Sequence, residues 1–312
     1  MRVLMMFFLL FCVLINIKAQ EEDTITSTSI RRRILWEQRM MKLNEQRDSI
    51  RSYIAREINE IGPDYNADSV RREIESGAYF SLFKDNYFIG GIPVGQKIMA
   101  SNTNVKFQLS ISHRLTKSRL PFDTYLFLTF SQKTIWNVIQ KSMPMLDMNF
   151  NPSIGLGHLI IHKNRYIGRG FLMIEHESNG KDGLTSRSWN KVSLGLYLML
   201  NKKLDTQIKL WAPIIDSDNN RDILQYNGIG HFGLTYHTED QRFILGVLST
   251  WRTKSFSFNT QWDMSFKLNK KVNQYLFIQY YNGYGEYLLD YNRFSSTLRV
   301  GFVIKPSDFS IY

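Results

Sequence analysis

From about Lys84 onward, apolar and polar residues alternate along the chain. Ile208, Leu210 and Ala212 stand opposite Gln207, Lys209 and Trp211, and Leu298, Val300, Phe302 and Ile304 stand opposite Arg299, Gly301 and Val303. Successive side chains of a β-strand point to opposite faces, so each such stretch reads as a strand with one apolar face. The pattern predicts twelve strands, centred on 86–93, 103–114, 121–132, 149–162, 165–178, 188–201, 203–213, 224–237, 241–252, 254–268, 272–284 and 294–305. Turn residues lie between them, as in Lys163-Asn164, Asn201-Lys202-Lys203 and Asn269-Lys270-Lys271. Stretches of about ten alternating residues are the signature of a transmembrane β-barrel. Hydrocarbon offers backbone polar groups no partner, so a spanning sheet must close on itself. The fold class expected is therefore all-β: a 12-stranded antiparallel transmembrane β-barrel with a short N-terminal helical periplasmic extension. A water-soluble sandwich is the alternative that alternation alone leaves open. Tyr275, Phe277, Tyr280, Tyr281 and Tyr284 cluster near strand ends and are expected to form interfacial girdles.

The first part of the chain follows other rules. Residues 1–19 read as a signal peptide, with Arg2 before an apolar run from Leu4 to Ile15 and a small residue, Ala19, at the expected cleavage point. The run is too short to span a bilayer comfortably, which takes about 20 residues. Residues 20–79 form a helical, basic extension. Trp36, Met40, Leu43, Ile50, Ile54, Ile58 and Ile61 recur at three, four or seven residues, an amphipathic stripe that Arg47 interrupts and Gly62-Pro63-Asp64 ends. A second short helix is expected from Asp68 to Ser76. The extension is expected to pack on itself or on the barrel rim; a surface-lying membrane helix or a partner-binding coiled coil is the other reading. Residues 80–312 form the barrel, and terminal aromatics at Phe309 and Tyr312 suit an outer membrane strand.

Charge and cysteine narrow the picture. The net charge is +11, or +9 once Arg2 and Lys18 are removed with the leader. A basic exported protein meets lipid headgroups before nucleic acid, and no nucleic-acid motif is present. Cys12, the sole cysteine, lies in the leader, so the mature chain holds no disulfide or thiolate metal site.

The chemistry concentrates where two strands flank Glu175-His176-Glu177-Ser178-Asn179-Gly180. Period two places Leu172, Ile174, His176 and Ser178 on one face, and Asn190, Val192, Leu194 and Leu196 on one face of the next strand. His176 is a candidate base, Ser178 a candidate nucleophile and Asn190 a candidate orienting amide. The plainer alternative is that these are polar residues tolerated on an outer strand.

The run His176-Glu177-Ser178-Asn179-Gly180, followed by Thr185-Ser186-Arg187-Ser188-Trp189-Asn190, resembles the active-site segment of the outer membrane phospholipase A family. Val105 to Ser110, Ser131-Gln132-Lys133-Thr134-Ile135-Trp136 and Tyr281-Asn282-Gly283-Tyr284-Gly285-Glu286 resemble further family segments in the same order, across roughly residues 80 to 309. The resemblance implies a twelve-stranded outer membrane barrel that hydrolyses acyl esters of phospholipids (A1/A2 positions, and lysophospholipids) through an acyl-enzyme. In it, His176 is the base, Ser178 the nucleophile and Asn190 the group that orients His176. It further implies Ca²⁺ as cofactor, held by the carbonyl of Lys181, the hydroxyl of Ser186 and the Ser142 carbonyl of a second subunit, with the Gly180 N–H in the oxyanion site. Lys181 stands where the family usually has Arg, a change that a carbonyl ligand tolerates. Asp182 and Gly183 also depart from the family, which removes support for a second calcium site, although Asp216 and Asp218 lie in a nearby loop. Gln132 resembles a dimer-interface glutamine; a lumen-facing position is the alternative. The implied partners are phospholipid substrate, outer membrane lipid and a second copy of the chain, with activity switched on by dimerisation. A barrel that has kept the fold but works as a channel or scaffold is the competing functional reading.

Overall fold

The computed structural model describes residues 27–60, 65–116, 119–214, 218–254, 257–269 and 272–306, with side chains between 31 and 52 described in the first helix. The expected leader, the Gly62-Pro63-Asp64 helix stop, Asp216, the side chain of Asp218, and Phe309 to Tyr312 lie outside the described residues. The chain forms two compact units that part between Arg56 and Glu57.

In the first, helix α1 (Ser27–Glu60) runs through the expected stripe. Trp36 and Leu43 are exposed, with Ile34, Leu35 and Met41. An i,i+4 pair, Arg33 to Glu37 at 3.2 Å, lies along its surface.

The second unit opens with helix α2 (Ala67–Ser76). Asn66 caps it, its Oδ1 accepting from the amides of Asp68 at 3.0 Å and Ser69 at 3.1 Å. A short strand β1 (Phe80–Leu82) follows, then β2 (Asn86–Pro93), β3 (Asn104–Arg114), β4 (Thr124–Trp136), β5 (Met145–His162), β6 (Arg165–Ser178) and β7 (Ser188–Asn201). β8 (Leu204–Ile214), β9 (Gly230–His237), β10 (Phe243–Arg252), β11 (Ser257–Lys267), β12 (Gln274–Gly283) and β13 (Ser295–Ile304) complete the sheet. Each strand from β2 to β13 pairs antiparallel with its neighbour, and β13 pairs with β2, so twelve strands close into a ring with no free edge. β1 pairs with β3 at residues 111–113, beyond the stretch of β3 that β2 covers. No helix among the described residues is long and apolar enough to cross a membrane.

Alternation sorts the side chains as the pattern predicts. Leu172, Ile174, Leu194, Val300 and Phe302 point outward and are exposed. So large an apolar belt is stable only against hydrocarbon. Inward positions carry charge in pairs: Glu175 with Lys209 at 2.6 Å, Glu177 with Lys191 at 2.8 Å, and Glu286 with both Arg299 and Lys106. The expected aromatic girdle is corrected in part. Tyr275, Phe277 and Tyr281 are buried inside the barrel, because on β12 they share the inward parity with Gln279.

One end of the barrel has short turns, the other longer loops. At the short end Lys163 and Asn164 both take positive φ, as a two-residue hairpin requires. The expected strand at 224–237 begins later, since residues 224–227 form a helical turn, α3 (Leu224–Asn227), before β9. Gly228 ends that turn at φ +69°, where a Cβ would stand 1.9 Å from the Trp251 carbonyl oxygen.

α2 fills the short-turn mouth. The Ala67 amide donates to the Asn164 carbonyl at 3.0 Å. Val70 is buried with Tyr125, Phe127, Leu159, Tyr166, Met173 and Met199, and Ile74 packs against them. Arg114 on β3 donates to the carbonyls of Ile74, Glu75 and Gly77, satisfying the helix end that otherwise lacks partners. The Tyr125 hydroxyl donates to Glu75 at 2.9 Å.

Candidate active site

β6 and β7 are paired so that His176 lies directly opposite Asn190 and Ser178 opposite Ser188. Their outward faces continue those of Leu172 and Ile174 and of Val192 and Leu194. The His176 Nδ1 lies 2.8 Å from the Asn190 Oδ1. With the ring proton on Nδ1, the amide oxygen accepts and leaves Nε2 free as a base. Ser178 stands two residues further along the same face, half-buried, with Phe150 of β5 beside it in the ladder. Its hydroxyl makes no hydrogen bond to the ring here; such bonds commonly tighten only in the substrate complex. The three sequence-predicted residues thus share the lipid-facing surface at the long-loop end, with His176 and Asn190 in contact and Ser178 two residues along from the ring.

The lumen side of the same strand segment is built differently. Glu177 Oε2 accepts from Trp189 Nε1 at 3.1 Å and Lys191 Nζ at 2.8 Å, and Trp189 is buried. The outward strand face therefore rests on a charge-paired inner wall.

The loop from residue 179 to 187 carries the other predicted residues. Gly180 takes φ +64° and lies against the Phe150 ring, 3.0 Å from where a Cβ would stand. Lys181 reaches across to donate from Nζ to the Leu146 carbonyl of β5 at 3.0 Å. Arg187 donates to the carbonyls of Leu184 at 2.9 Å and Ser186 at 2.8 Å. The Lys181 carbonyl and Ser186 hydroxyl make no hydrogen bonds among the described residues, which suits both to a hard cation that takes neutral oxygens. Among the described residues no cluster of His, Cys, Asp and Glu could hold a metal. Ser142 lies exposed in the β4–β5 loop. Gln132 lies on the outward face of β4, opposite Leu109 and donating to Thr134 at 3.3 Å, not in the lumen.

Two residues that hold this loop escaped the pattern reading. Asn179 and Asn220 are both buried, and both bond to the loop or its exit strand. Asn220 brackets Ser188, donating to its carbonyl at 2.9 Å and accepting from its amide at 3.2 Å. An Asn beside a Gly in a loop is the signal the sequence offers for Asn179; Asn220, between Asn219 and Arg221, has no such neighbour.

Comparison with known proteins places the chain. The profile of the family described as phospholipase A1 matches residues 93–304. The phospholipase A1 of Escherichia coli K12 is 31% identical over 215 residues, covering 67% of this chain and 71% of that one. The putative phospholipase A1 of Neisseria meningitidis serogroup B is 26% identical over 229 residues, with 68% and 56% covered. Among solved structures, outer membrane phospholipase A of Escherichia coli superposes with a TM-score of 0.65 at 25% identity, covering 73% of this chain and 99% of that one. The Salmonella typhi outer membrane phospholipase, solved as a dimer with bound calcium, has a TM-score of 0.65 at 24% identity, covering 77% and 96%.

Proposed function

Because this chain belongs to the phospholipase A1 family, whose members are outer membrane barrel enzymes, we propose that it cleaves phospholipid acyl esters with Ser178, His176 and Asn190. The observation that carries the reading is the His176–Asn190 hydrogen bond, formed on a lipid-facing strand with Ser178 next along the same face.

An acyl chain lying along Leu172, Ile174 and Val192 brings its ester to Ser178. His176 Nε2 takes the hydroxyl proton as Ser178 Oγ attacks the carbonyl carbon. Asn190 keeps the imidazole in the tautomer with Nδ1–H and steadies the ring as it becomes positive. His176 then gives the proton to the departing glycerol oxygen, leaving an acyl-enzyme, and a water activated by His176 releases the fatty acid. The Gly180 N–H faces the developing oxyanion. A Ca²⁺ held by the Lys181 carbonyl, the Ser186 hydroxyl and the Ser142 carbonyl of a second copy would add positive charge beside that oxyanion. Sharing one cation between two chains couples activity to dimerisation, with Gln132 at the interface. Support for calcium and the dimer comes from the calcium-bound dimer of the Salmonella typhi relative and from the unengaged oxygens of the loop.

The channel or scaffold reading asks for an open lumen. The α2 seat among barrel side chains and the buried Glu286, Glu177 and Glu175 ion pairs count against it. The test is fatty-acid release from phospholipid micelles by the purified barrel, with Ca²⁺ or with a chelator, beside S178A. Calcium-dependent release lost in S178A is expected; no release from folded, dimeric protein would overturn the reading.

A further inference from the structure

We infer that Asn179 is the positioning residue that shapes the β6–β7 loop for both the oxyanion N–H and the cation, an inference that rests on the function just proposed. Asn179 follows the nucleophile in sequence but points the other way. It is 1% exposed, and its side chain spends every hydrogen bond inside the loop. Oδ1 accepts from the Lys181 amide at 3.3 Å and the Arg187 amide at 2.9 Å. Nδ2 donates to the Thr185 carbonyl at 2.8 Å. Its own backbone amide donates to the Arg187 carbonyl at 3.0 Å.

These bonds join the two arms of the loop. One arm holds Gly180 and Lys181, the other Thr185, Ser186 and Arg187. The proposed cation ligands sit one on each arm, and the Gly180 N–H lies between Asn179 and Lys181. Shorter bonds inside the loop tie Thr185 Oγ1 to the Asp182 carbonyl at 3.1 Å and the Ser186 amide to the Gly183 carbonyl at 3.2 Å, and others run outward: Lys181 Nζ to Leu146, Asn219 Nδ2 to the Gly183 carbonyl at 2.8 Å, and Asn220 to Ser188. The outward ties fix where the loop hangs. Asn179 is the residue that bonds both Lys181 on one arm and Thr185 and Arg187 on the other. A cation entering a loop already closed by Asn179 finds its oxygens in place; without the clamp, binding has to order both arms first. A second consequence follows for the oxyanion: the amide at Gly180 is aimed by a φ that the clamp holds open at +64°. Asn179 touches neither substrate nor cation, so its role is positioning.

The test compares N179A and N179D with the parent protein in detergent. Calcium binding is read by calorimetry, turnover by fatty-acid release at saturating calcium, and folding by thermal melting. N179A is expected to weaken calcium binding by about 10–100-fold, as loss of a group behind a metal ligand does. Its kcat at saturating calcium should fall about tenfold with KM little changed, the mark of an interaction made in the transition state. N179D keeps both acceptor bonds, loses the donor to Thr185, and should fall between parent and N179A on both readouts. A purely structural Asn179 would lower the melting temperature and leave calcium affinity and kcat within twofold of the parent, which overturns the inference. Should N179A fail to fold, N179D decides by the same readouts. If the parent binds no calcium, the calcium assignment of the proposed function fails, and the clamp stands or falls on kcat alone.

Discussion

His176 and Asn190 are directly opposite each other across the β6–β7 ladder, and their side chains meet at 2.8 Å. Sheet register, rather than a mobile loop, therefore sets the geometry of the base. Replacing Asn190 by Ala removes one hydrogen bond to a ring that becomes charged, worth about 1.5–3 kcal/mol. Turnover should drop roughly 10–150-fold, with the fold intact by heat-dependent gel mobility. A loss below threefold would show that Asn190 does not orient the base.

Ser178 is the serine on the same strand and the same face as His176. S178A and H176A are each expected to lose at least about 10³-fold in fatty-acid release, and the double variant should lose little more than either single one, since the two act as a unit. Additive losses in the double variant would separate their roles.

Gly180 offers a test of the oxyanion site. G180A adds a Cβ at φ +64° and 3.0 Å from the Phe150 ring, so the amide must turn or the ring must yield. The left-handed conformation alone costs about 1–2 kcal/mol for a residue with a Cβ. kcat should fall by about tenfold or more, and KM for a micellar substrate should change little. Unaltered kcat would place the oxyanion elsewhere.

The α2 seat predicts a stability effect remote from the chemistry. Val70 is buried among Tyr125, Phe127 and Met173. V70A removes two methyl groups from that packing and should lower unfolding stability by about 2 kcal/mol. Urea titration measures it; a change under about 0.5 kcal/mol would mean that α2 adds little to the barrel.

Glu286, in the β12–β13 loop, gives a pH dependence. Burial would push its carboxyl up, but the charges of Arg299 and Lys106 outweigh that and hold it down at about 2, against 4.5 for a free glutamate. A depressed carboxylate stabilises the fold fully above about pH 4.5 and loses that contribution as pH falls toward 2. E286Q should abolish this acid-dependent component. At neutral pH it strands two buried cations and should cost about 3–5 kcal/mol. Parallel acid titrations of parent and variant would refute the assignment.

Much of this was readable in the alternation itself. Strands β6, β7 and β13 begin and end where period two begins and ends, and the outward placement of His176, Ser178 and Asn190 follows from parity alone. β12 was harder: Tyr275, Leu276, Phe277 and Ile278 are apolar on both faces, so parity could not tell ring from lumen, and three aromatics assigned to a girdle lie inside. The strand expected from 224 starts at Gly230 because a helical turn, stopped by Gly228 at φ +69°, intervenes, and one turn carries no periodic signal. α2 was legible as a helix, but its burial in the mouth was not, since its seat is assembled from residues up to 130 positions away. Calcium ligation and the dimer rest on motif resemblance: a carbonyl ligand leaves no mark in side-chain identity, and an apolar outer face looks the same against lipid or against a second barrel.

The order of the chain bears on assembly. α2 precedes every strand it touches, while the surface that receives it comes from β4, β5, β6 and β7. That surface is complete only once β7, at the midpoint of the ring in chain order, has been laid down. The stopper therefore waits, tethered, until the wall around it is built, and its docking reports a late step. A cysteine at a seated α2 position, such as Val70, should react with a bulky thiol reagent in early intermediates and slow as the helix docks and buries it.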